Sequence, residues 1–542
     1  MGNKNKMKLT DEGLKDRRAW ESAGYILPEY DREEVRSETM KTPEWIHFGA
    51  GNIFRAYQAN LVQELLNQKV METGLIAAEG YAYEMIEKMY HPHDNLSILV
   101  TLKGNGDIKK TVIGSIVESL CLDSENEKDF LRMKEIFKNP SLQMASFTIT
   151  EKGYSLKDNT GEFAKPVMFD FKNGPAKPVS YMGKVAALLY ERYRNKQLPI
   201  ALVSMDNCSH NGTILYHAIS SYAKMWCDGG IVDSGFIDYI NDSKKVSFPW
   251  SMIDKITPRP DAKVKDMLNK DEIEDLEEII TDNGTYAAPF VNAEESEYLV
   301  IEDWFPNGRP KLESCGVMFT DRQTVDKVEK MKVCTCLNPL HTALAIFGCL
   351  LDYHLISEEI KNPVLRRMVE IIGYEEGLPV VINPGIIKPE DFIDDVLNVR
   401  IPNPFMPDTP QRIATDTSQK LAIRFGETIK AYQKREDLNV SDLKVIPFVF
   451  AGWLRYLMGI NDKGEVFQLS PDPLIDKVRP YVMDILLGEE ANLSQLKTVL
   501  SDASIFGVDL IEIGMADLVL NYFNEMIQGV GAVEITLAKY IV

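Results

Sequence analysis

The sequence predicts an α/β protein with two parts: an N-terminal part in which strands and helices alternate, and a mainly α-helical C-terminal part. Short apolar strand candidates alternate with helical segments over the first part, and this alternation favours a parallel-type sheet. Further along, apolar residues recur at helical spacing instead. A chain of 542 residues is also too long for one hydrophobic core. We therefore predict an N-terminal extension over residues 1–42, an α/β domain over 43–300 and a mainly helical domain over 301–542.

The α/β domain opens with the pattern of a Rossmann-type dinucleotide-binding domain. Residues 45–51, WIHFGAG, predict a buried strand that runs into a glycine turn; residues 54–68 have helical periodicity, and 74–79 predict a second strand. Strand, glycine turn, helix and strand in this order begin a dinucleotide-binding fold. Further strand candidates are 96–102, 111–117, 144–149 and 199–204. Helices of the second domain are predicted at 339–353, 364–372, 417–433, 443–459, 473–487 and 508–528, with an ordered loop at 401–410.

Charge and cysteine content restrict the class of protein. A net charge of −21 argues against nucleic acid and anionic membranes as partners. Seven irregularly placed cysteines, an odd number, favour reduced thiols over a disulfide framework. No apolar stretch follows the basic start MGNKNKMKL, and the longest apolar runs are shorter than a bilayer span. We expect a cytoplasmic protein without a signal peptide or membrane span.

The glycine turn is the first candidate site. Gly49 permits a tight turn, and Gly51 lets the backbone approach a pyrophosphate at the N-terminus of the following helix. Asn52 and Ile53 start that helix and complete the candidate cofactor-binding set. Phe54 stands where a strict G-x-G-x-x-G motif has its third glycine. A simple strand–helix turn without a ligand therefore remains an alternative.

Glu79 ends the second predicted strand, where an acidic side chain in a dinucleotide-binding fold bonds the adenosine ribose hydroxyls. A carboxylate there also repels a 2′-phosphate, which favours NAD over NADP. A solvated surface glutamate is the alternative interpretation.

A second candidate site opens the helical domain, in EKMKVCTCLNPLHTALAIFGC at 329–349. Asn338 and His341 are three residues apart, so they share a helix face, and Lys332 precedes them. An amine, an amide and an imidazole at the start of an apolar helix are expensive to bury without partners, so together they suggest a site. The alternative places Lys332 on the surface, Asn338 as a helix cap and His341 as a satisfied core residue.

The segment VSMDNCSHNG at 203–212 is a third candidate. It follows a predicted strand, so Asp206 and Asn207 fall at the carboxyl end of that strand, where open α/β sheets bind ligands. An Asx-turn followed by a capped helix also fits this segment.

These segments resemble the polyol-specific long-chain dehydrogenases. The resemblance covers most of the chain in the family's order, from residue 46 to 421. It rests on a Lys followed by Asn-x-x-His before an apolar helix and on the pattern S-x-D-N-x-x-x-N-G. Further matching blocks are GAGNIFRAYQ, VSFPWSMIDKITP, IEDWFPNGRP and DTPQRIATDTSQKL.

The resemblance implies catalysis without a metal. By it, Lys332 is the general acid/base, Asn207 and Asn338 polarise the carbonyl, and His341 helps to place the substrate. Glu329, three residues before Lys332, favours this lysine over the one two positions earlier. The spacing from Lys332 to Asn338 is six residues, one more than is usual in the family.

The resemblance also assigns binding residues. Arg412 and Lys420 occupy positions that face substrate oxygens, Asp206 and Asp254 are further substrate-binding candidates, and Arg55 joins the cofactor-binding set. The family implies a sugar acid or polyol as the partner molecule and a monomer or small homo-oligomer.

The cations favour an acidic substrate. Arg412 and Lys420, with Lys255 and Arg424, suit a carboxylate. The segment KVCTCLNPLHTALAIFG resembles the mannonate oxidoreductases of the family more than its mannitol dehydrogenases. We therefore expect NAD-dependent interconversion of D-fructuronate and D-mannonate, with tagaturonate reduction or mannitol 2-dehydrogenation as alternatives. A catalytically inactive dinucleotide-binding sensor is a further alternative.

Zinc chemistry is the competing catalytic interpretation. Cys334, Cys336 and His341 lie close together in sequence, but they lack a convincing fourth ligand. We expect no metal site.

Overall fold

The structure, a computed structural model, describes residues 6–541, which form two compact units. The first unit comprises the described chain up to Lys103 together with Asp107–Asp326. The second comprises Gly104–Gly106 and the described chain from Lys327 onward. The predicted boundary at residue 300 falls inside a strand of the first unit, Tyr298–Glu302.

Fifteen strands occur in the described residues, and all belong to the first unit. They are β1 (Tyr25–Ile26), β2 (Trp45–Phe48), β3 (Leu75–Glu79), β4 (Ser97–Leu102), β5 (Ile108–Ile113), β6 (Ile116–Cys121), β7 (Met144–Phe147), β8 (Ile200–Ser204), β9 (Val246–Ser247), β10 (Ser251–Asp254), β11 (Ile279–Ile280), β12 (Tyr286–Ala287), β13 (Phe290–Glu294), β14 (Tyr298–Glu302) and β15 (Met318–Thr320).

The central sheet is parallel throughout, with the order β6-β3-β2-β7-β8-β9. Numbered along the chain within this sheet, the order is 3-2-1-4-5-6, which is that of dinucleotide-binding domains. The strand order reverses between β2 and β7, so a crevice opens at their carboxyl ends. The predicted parallel sheet and Rossmann-type fold are confirmed.

Three smaller sheets complete the first unit. Their orders are β1-β5-β4-β13, β10-β14-β15 and β11-β12. The single strand predicted at 111–117 is wrong, because the chain turns at Gly114 and Ser115 between β5 and β6. Arg32 fills the space beside Gly114, where an added Cβ would lie 2.9 Å from its Nε.

The central strands are buried on both faces, as a parallel sheet covered by helices requires. Residues alternate along β2: Trp45 belongs to one core cluster, and Ile46 and Phe48 belong to the other. The helices of the first unit are α1 (Arg17–Ser22), α2 (Arg32–Lys41), α3 (Ala59–Asn67), α4 (Glu127–Lys138), α5 (Thr150–Tyr154), α6 (Lys165–Asn173), α7 (Tyr181–Arg194), α8 (Asn211–Asp228), α9 (Gly235–Asn241) and α10 (Ala262–Lys270).

The described N-terminal segment packs as part of the first unit. Strand β1 pairs in parallel with β5, and Trp20 and Tyr25 are buried. The Arg32 guanidinium donates to the carbonyl oxygens of Gly114 and Ile116. The described part of residues 1–42 therefore supplies both a strand and core side chains.

The second unit is helical, as predicted. Helix α11 (Arg322–Met331) contains the point where the units divide. The helices that follow are α12 (Asn338–Leu350), α13 (Ile356–Glu359), α14 (Pro363–Glu370), α15 (Pro389–Asp395), α16 (Pro410–Ile413), α17 (Glu427–Gln433), α18 (Val445–Leu457), α19 (Ile475–Val478), α20 (Leu496–Leu500), α21 (Ala503–Phe506), α22 (Ala516–Met526) and α23 (Ala532–Tyr540). Five-residue and seven-residue π turns lie between several of them, including Lys332–Cys336 and Ala422–Gly426.

Two predicted helices are much shorter than expected. The segment 473–487 forms only α19 and a 3-10 turn, Arg479–Tyr481, which contains a proline. The segment 508–528 is helical only over α22, because Gly514 before it has a positive φ of 74°.

The helical run Arg322–Leu350 is long and apolar enough to cross a membrane by length and composition alone. In the structure, 78% of its most apolar window is buried inside the protein. This is the burial expected of a core helix.

Candidate active site

The turn after β2 has the shape that its glycines predict. Gly49 has a φ of +103°, and a Cβ there would lie 2.2 Å from the Thr148 carbonyl oxygen, so only glycine fits. A Cβ at Gly51 would meet nothing within 4 Å. Helical structure begins at Asn52. The turn therefore leaves open space beside the N-terminus of a helix, which is where a dinucleotide pyrophosphate binds.

Buried side chains hold this turn from inside. The Tyr90 hydroxyl donates to the Ala50 carbonyl oxygen at 2.8 Å. Arg55 is fully buried; its guanidinium donates to the Asn52 side-chain oxygen at 2.9 Å and to the Ala288 carbonyl oxygen. Arg55 therefore lies behind the turn and fixes the shape of the segment at Asn52. Ile53, the next residue, is partly exposed.

The carboxylate of Glu79 is part of the same framework. It accepts hydrogen bonds from the backbone N–H groups of Ala50, Tyr81 and Ala82, at 2.8–3.0 Å. Only 6% of Glu79 is exposed. A carboxylate has about four acceptor positions, so one remains for a ribose hydroxyl. Glu79 thus ties the end of β3 to the glycine turn.

Most of the S-x-D-N-x-x-x-N-G pattern holds the loop after β8. The Asn211 side chain is fully buried and donates to the carbonyl oxygens of Ser204 and Ser251. A Cβ at Gly212 would lie 2.5 Å from the Phe248 carbonyl oxygen. Asn207, in contrast, is exposed. The loop is therefore a rigid support that presents one amide at the carboxyl edge of the sheet.

The carboxylate of Asp206 is hydrogen-bonded to the segment that follows β7. Its carboxylate accepts from the backbone N–H groups of Ile149 and Thr150 at 2.8 and 3.0 Å, and from the Tyr154 hydroxyl at 2.6 Å. Burial raises the pKa of Asp206, while these hydrogen bonds act in the opposite direction. Asp206 therefore links the loop after β8 to the loop after β7.

Asp254 and Lys255 lie at the end of β10. Asp254 is buried opposite Tyr298 of the neighbouring strand. The Lys255 ammonium donates to the Glu297 carboxylate and to the Glu294 carbonyl oxygen, both at 2.7 Å. Because Glu297 neutralises it, Lys255 does not offer the free cation that we expected for a substrate carboxylate.

In the second unit, Lys332, Asn338 and His341 lie on one helical run. The Leu337 N–H bonds to the Lys332 carbonyl oxygen at 3.1 Å, closing a π turn over Lys332–Cys336. A π turn holds one residue more than an α-helical turn. It therefore takes up the additional residue between Lys332 and Asn338.

The alternative interpretation of these residues, as a surface lysine, a helix cap and a core histidine, does not fit their surroundings. Lys332 is buried, with 4% exposure, so it is not a surface lysine. Helix α12 has no side-chain hydrogen bond capping its N-terminus, so Asn338 is not its cap. His341 is partly exposed, which is unlike a core histidine.

The cations predicted to face substrate differ from one another. Arg412 is exposed and pairs with Asp408 one turn earlier. The Lys420 ammonium donates to the carbonyl oxygens of Ile413 and Thr415. Burial and the nearby Arg424 lower the pKa of Lys420 to about 8. Lys420 therefore carries a charge that titrates near neutral pH.

Arg424 is directly connected to α12. Its guanidinium donates to the Thr342 hydroxyl, which in turn donates to the Asn338 carbonyl oxygen at 2.9 Å. Burial lowers the pKa of Arg424 to about 10. A partly buried cation thus lies beside the first turn of the helix that carries Asn338 and His341.

The cysteines that follow Lys332 bear on the zinc alternative. Cys336 is buried, and burial raises the pKa of its thiol. Over residues 6–541, no group of three or more His, Cys, Asp or Glu side chains is arranged to hold a metal ion.

Sequence reasoning missed the residues that shape the site without touching its open side. Tyr90 and Tyr154 belong to no motif, and each meets its partner only through the fold. Two buried tyrosines in a chain that contains 22 give no sequence signal.

Comparison with known proteins shows the family of both units. Residues 43–314 match the mannitol dehydrogenase Rossmann domain, and residues 324–525 match the mannitol dehydrogenase C-terminal domain. The D-mannonate oxidoreductase of Thermotoga maritima is 53% identical over 538 residues, covering 99% of each chain.

Two solved structures share the fold at 24% identity. A D-sorbitol dehydrogenase in substrate-free form has a TM-score of 0.75 and covers 96% of this chain and 98% of its own. The mannitol 2-dehydrogenase of Pseudomonas fluorescens, a ternary complex with NAD and D-mannitol, has a TM-score of 0.68 and covers 98% and 99%. The prediction of an oxidoreductase is confirmed, and the chain belongs to the mannitol dehydrogenase family.

Proposed function

We propose that this protein interconverts D-fructuronate and D-mannonate with NAD as the hydride carrier and without a catalytic metal. The observation that supports the proposal is that Lys332, in the π turn Lys332–Cys336, comes just before α12, which begins at Asn338 and carries His341. The full-length similarity to a D-mannonate oxidoreductase supports the choice of substrate.

The first unit fits a dinucleotide. The open space at Gly51, the helix that starts at Asn52 and the order of the central sheet together suit a bound pyrophosphate. Glu79 ends β3 and supports NAD over NADP, because its carboxylate would repel a 2′-phosphate. When bound, NAD would accept or return the hydride at the substrate carbon.

The protein's own groups would handle the proton and the oxygen. In reduction, Lys332 gives a proton to the developing alkoxide; in oxidation it takes the alcohol proton. Asn207 and Asn338 donate hydrogen bonds to that oxygen, and loss of one such donor reduces the rate by about 10²–10³-fold. His341, three residues after Asn338 on the same helix, orients the substrate hydroxyls.

A carboxylate-bearing substrate fits the charges of the second unit. The whole chain carries a net charge of −21, yet Lys420 and Arg424 are both partly buried, and Arg424 bonds to Thr342 of α12. A partly desolvated cation binds a carboxylate more strongly than an exposed one does. We therefore place the substrate carboxylate with Lys420 and Arg424, and give the exposed Arg412 a smaller part.

The test is NADH oxidation with D-fructuronate, D-tagaturonate and D-fructose in parallel, each with and without excess EDTA. We expect D-fructuronate to have the highest kcat/KM, with no effect of the chelator. Preference for either other ketone would replace the substrate assignment. Inactivation by EDTA that zinc reverses would overturn the metal-free mechanism. NADH binding without turnover of any of the three would favour a sensor.

A further inference from the structure

The chain contains a strained residue where the segment after β7 enters α5. Thr150 has a φ of +63°, in the left-handed region that β-branched residues avoid. Such a conformation is unfavourable and persists only where neighbouring groups enforce it. Thr150 is exposed, so its own side chain is not packed in place.

The first set of groups that enforces this conformation centres on Asp206, in the loop after β8. Both carboxylate oxygens of Asp206 are used, one by the Ile149 N–H and one by the Thr150 N–H. The Tyr154 hydroxyl donates to Asp206 at 2.6 Å and also contacts the Ser204 hydroxyl at 2.8 Å. Tyr154 is buried, so this contact is shielded from water.

A second set holds the same loop from β2. The Trp45 indole, which can only donate, bonds to the Ser146 hydroxyl at 2.6 Å. The Ser146 hydroxyl is also hydrogen-bonded to Nδ1 of His47, at 2.6 Å, and Nε2 of His47 is hydrogen-bonded to the Thr148 hydroxyl at 2.8 Å. Burial lowers the pKa of His47 to about 3, which keeps the ring neutral.

The loop lies where the central sheet reverses its order. β2 and β7 are neighbours. The Thr148 carbonyl oxygen packs against Gly49 of the glycine turn, 2.2 Å from where a Cβ on Gly49 would lie. Asn207 is the residue after Asp206. One carboxylate therefore connects the cofactor crevice to the amide proposed to polarise the substrate.

We infer that Asp206 and Tyr154 are positioning residues that hold Thr148–Thr150 as a wall of the cofactor crevice and keep Asn207 in register with it. This inference rests on the proposed dinucleotide site. It gives Asp206 a role through the loop in place of direct contact with substrate.

The test is the Kd of NADH, measured by fluorescence titration without substrate. Tyr154→Phe removes only the hydroxyl, and we expect NADH to bind about tenfold more weakly, as loss of one hydrogen bond to a charged group allows. The matched control is Tyr193→Phe, because Tyr193 donates a similar bond to Asp233 elsewhere in the same unit. Its Kd should stay within about twofold of the wild-type value.

A rescue variant separates positioning from general destabilisation. Glycine adopts the left-handed region without strain, so Thr150→Gly added to Tyr154→Phe should recover most of the lost NADH affinity. Asp206→Asn, which can accept only one of the two N–H groups well, should behave like Tyr154→Phe and serves if that variant fails to fold.

The outcomes are distinct. Wild-type protein that does not bind NADH would refute the proposed dinucleotide site itself. Wild-type binding with an unchanged Kd in Tyr154→Phe and Asp206→Asn would overturn the positioning role. A weakened Kd that Thr150→Gly leaves unrepaired would overturn the link to the strained loop.

Discussion

A buried carboxyl in the second unit leads to a quantitative prediction about stability. Glu359 at the end of α13 is fully buried, and neither of its oxygens has a hydrogen-bond partner. It is tightly enclosed: a Cβ at Gly348 would lie 2.5 Å from Oε2 of Glu359 and 2.7 Å from Pro410. Burial raises the pKa of Glu359 well above its usual 4.5, so the folded protein keeps this carboxyl protonated.

The sign of the pH effect follows from proton linkage. Above about pH 4.5 the unfolded chain releases the Glu359 proton, while the folded chain keeps it. Glu359 therefore contributes most stability at low pH, and this contribution falls by about 1.4 kcal/mol per pH unit until the pH reaches the folded pKa. The loss continues over the whole interval between the usual pKa of a glutamate and the raised pKa of folded Glu359.

The perturbation is Glu359→Gln, which has the same shape and no ionisable proton. The free energy of unfolding is measured by urea denaturation and circular dichroism. The value for the variant minus the value for the wild type should increase by about 1.4 kcal/mol for each unit of pH over this range. Glu358→Gln is the matched control, since Glu358 is the exposed neighbour that pairs with Lys361. Its free energy of unfolding should depend on pH nearly as the wild-type value does. A difference between Glu359→Gln and wild type that stays constant with pH would refute the reasoning.

Three further predictions concern the site. Lys332→Met should abolish turnover and leave the Kd of NADH within about twofold of the wild-type value. Lys330→Met, a change at an exposed lysine on the same helical run, is the control and should keep activity. Retained turnover in Lys332→Met would refute the role of Lys332. Gly49→Ala should destabilise the protein by more than about 2 kcal/mol in thermal unfolding, because of its positive φ and the close carbonyl. Gly51→Ala, with open space around it, should fold normally and bind NADH about tenfold more weakly, so equal effects at both glycines would contradict the turn geometry. Because the pKa of Lys420 is about 8, the KM for D-fructuronate should rise above pH 8 by up to about tenfold per unit as the cation is lost, and Lys420→Arg should move this rise to higher pH.

The features that local pattern determines were predictable from the sequence. The apolar run at Trp45–Phe48, the Gly49–Gly51 spacing and the helical periodicity that follows indicated strand, turn and helix, because each depends on residues within one or two turns of chain. The apolar run after Asn338 likewise predicted α12. Helices predicted from apolar spacing alone failed where a proline or a positive-φ glycine intervened, as at Gly514.

The features that depend on distant partners were not predictable. Lys255 appeared to be a free cation until the fold brought Glu297 against it, 42 residues away. Asp206 looked like a ligand-binding residue because its position matched a motif, while its partners, Ile149 and Thr150, lie on another loop. The additional residue before Asn338 could be counted, but its accommodation in a π turn is a property of the folded helix.

The central claim is hydride transfer to a keto-acid with Lys332 as the proton donor. It is tested by the reaction of NADH that carries deuterium at both C4 positions with D-fructuronate, in the presence of EDTA, followed by NMR of the product. We expect wild-type protein to form D-mannonate with one deuterium on the former ketone carbon, and Lys332→Met to form none. Absence of deuterium transfer to D-fructuronate, or equal transfer by the Lys332 variant, would contradict it.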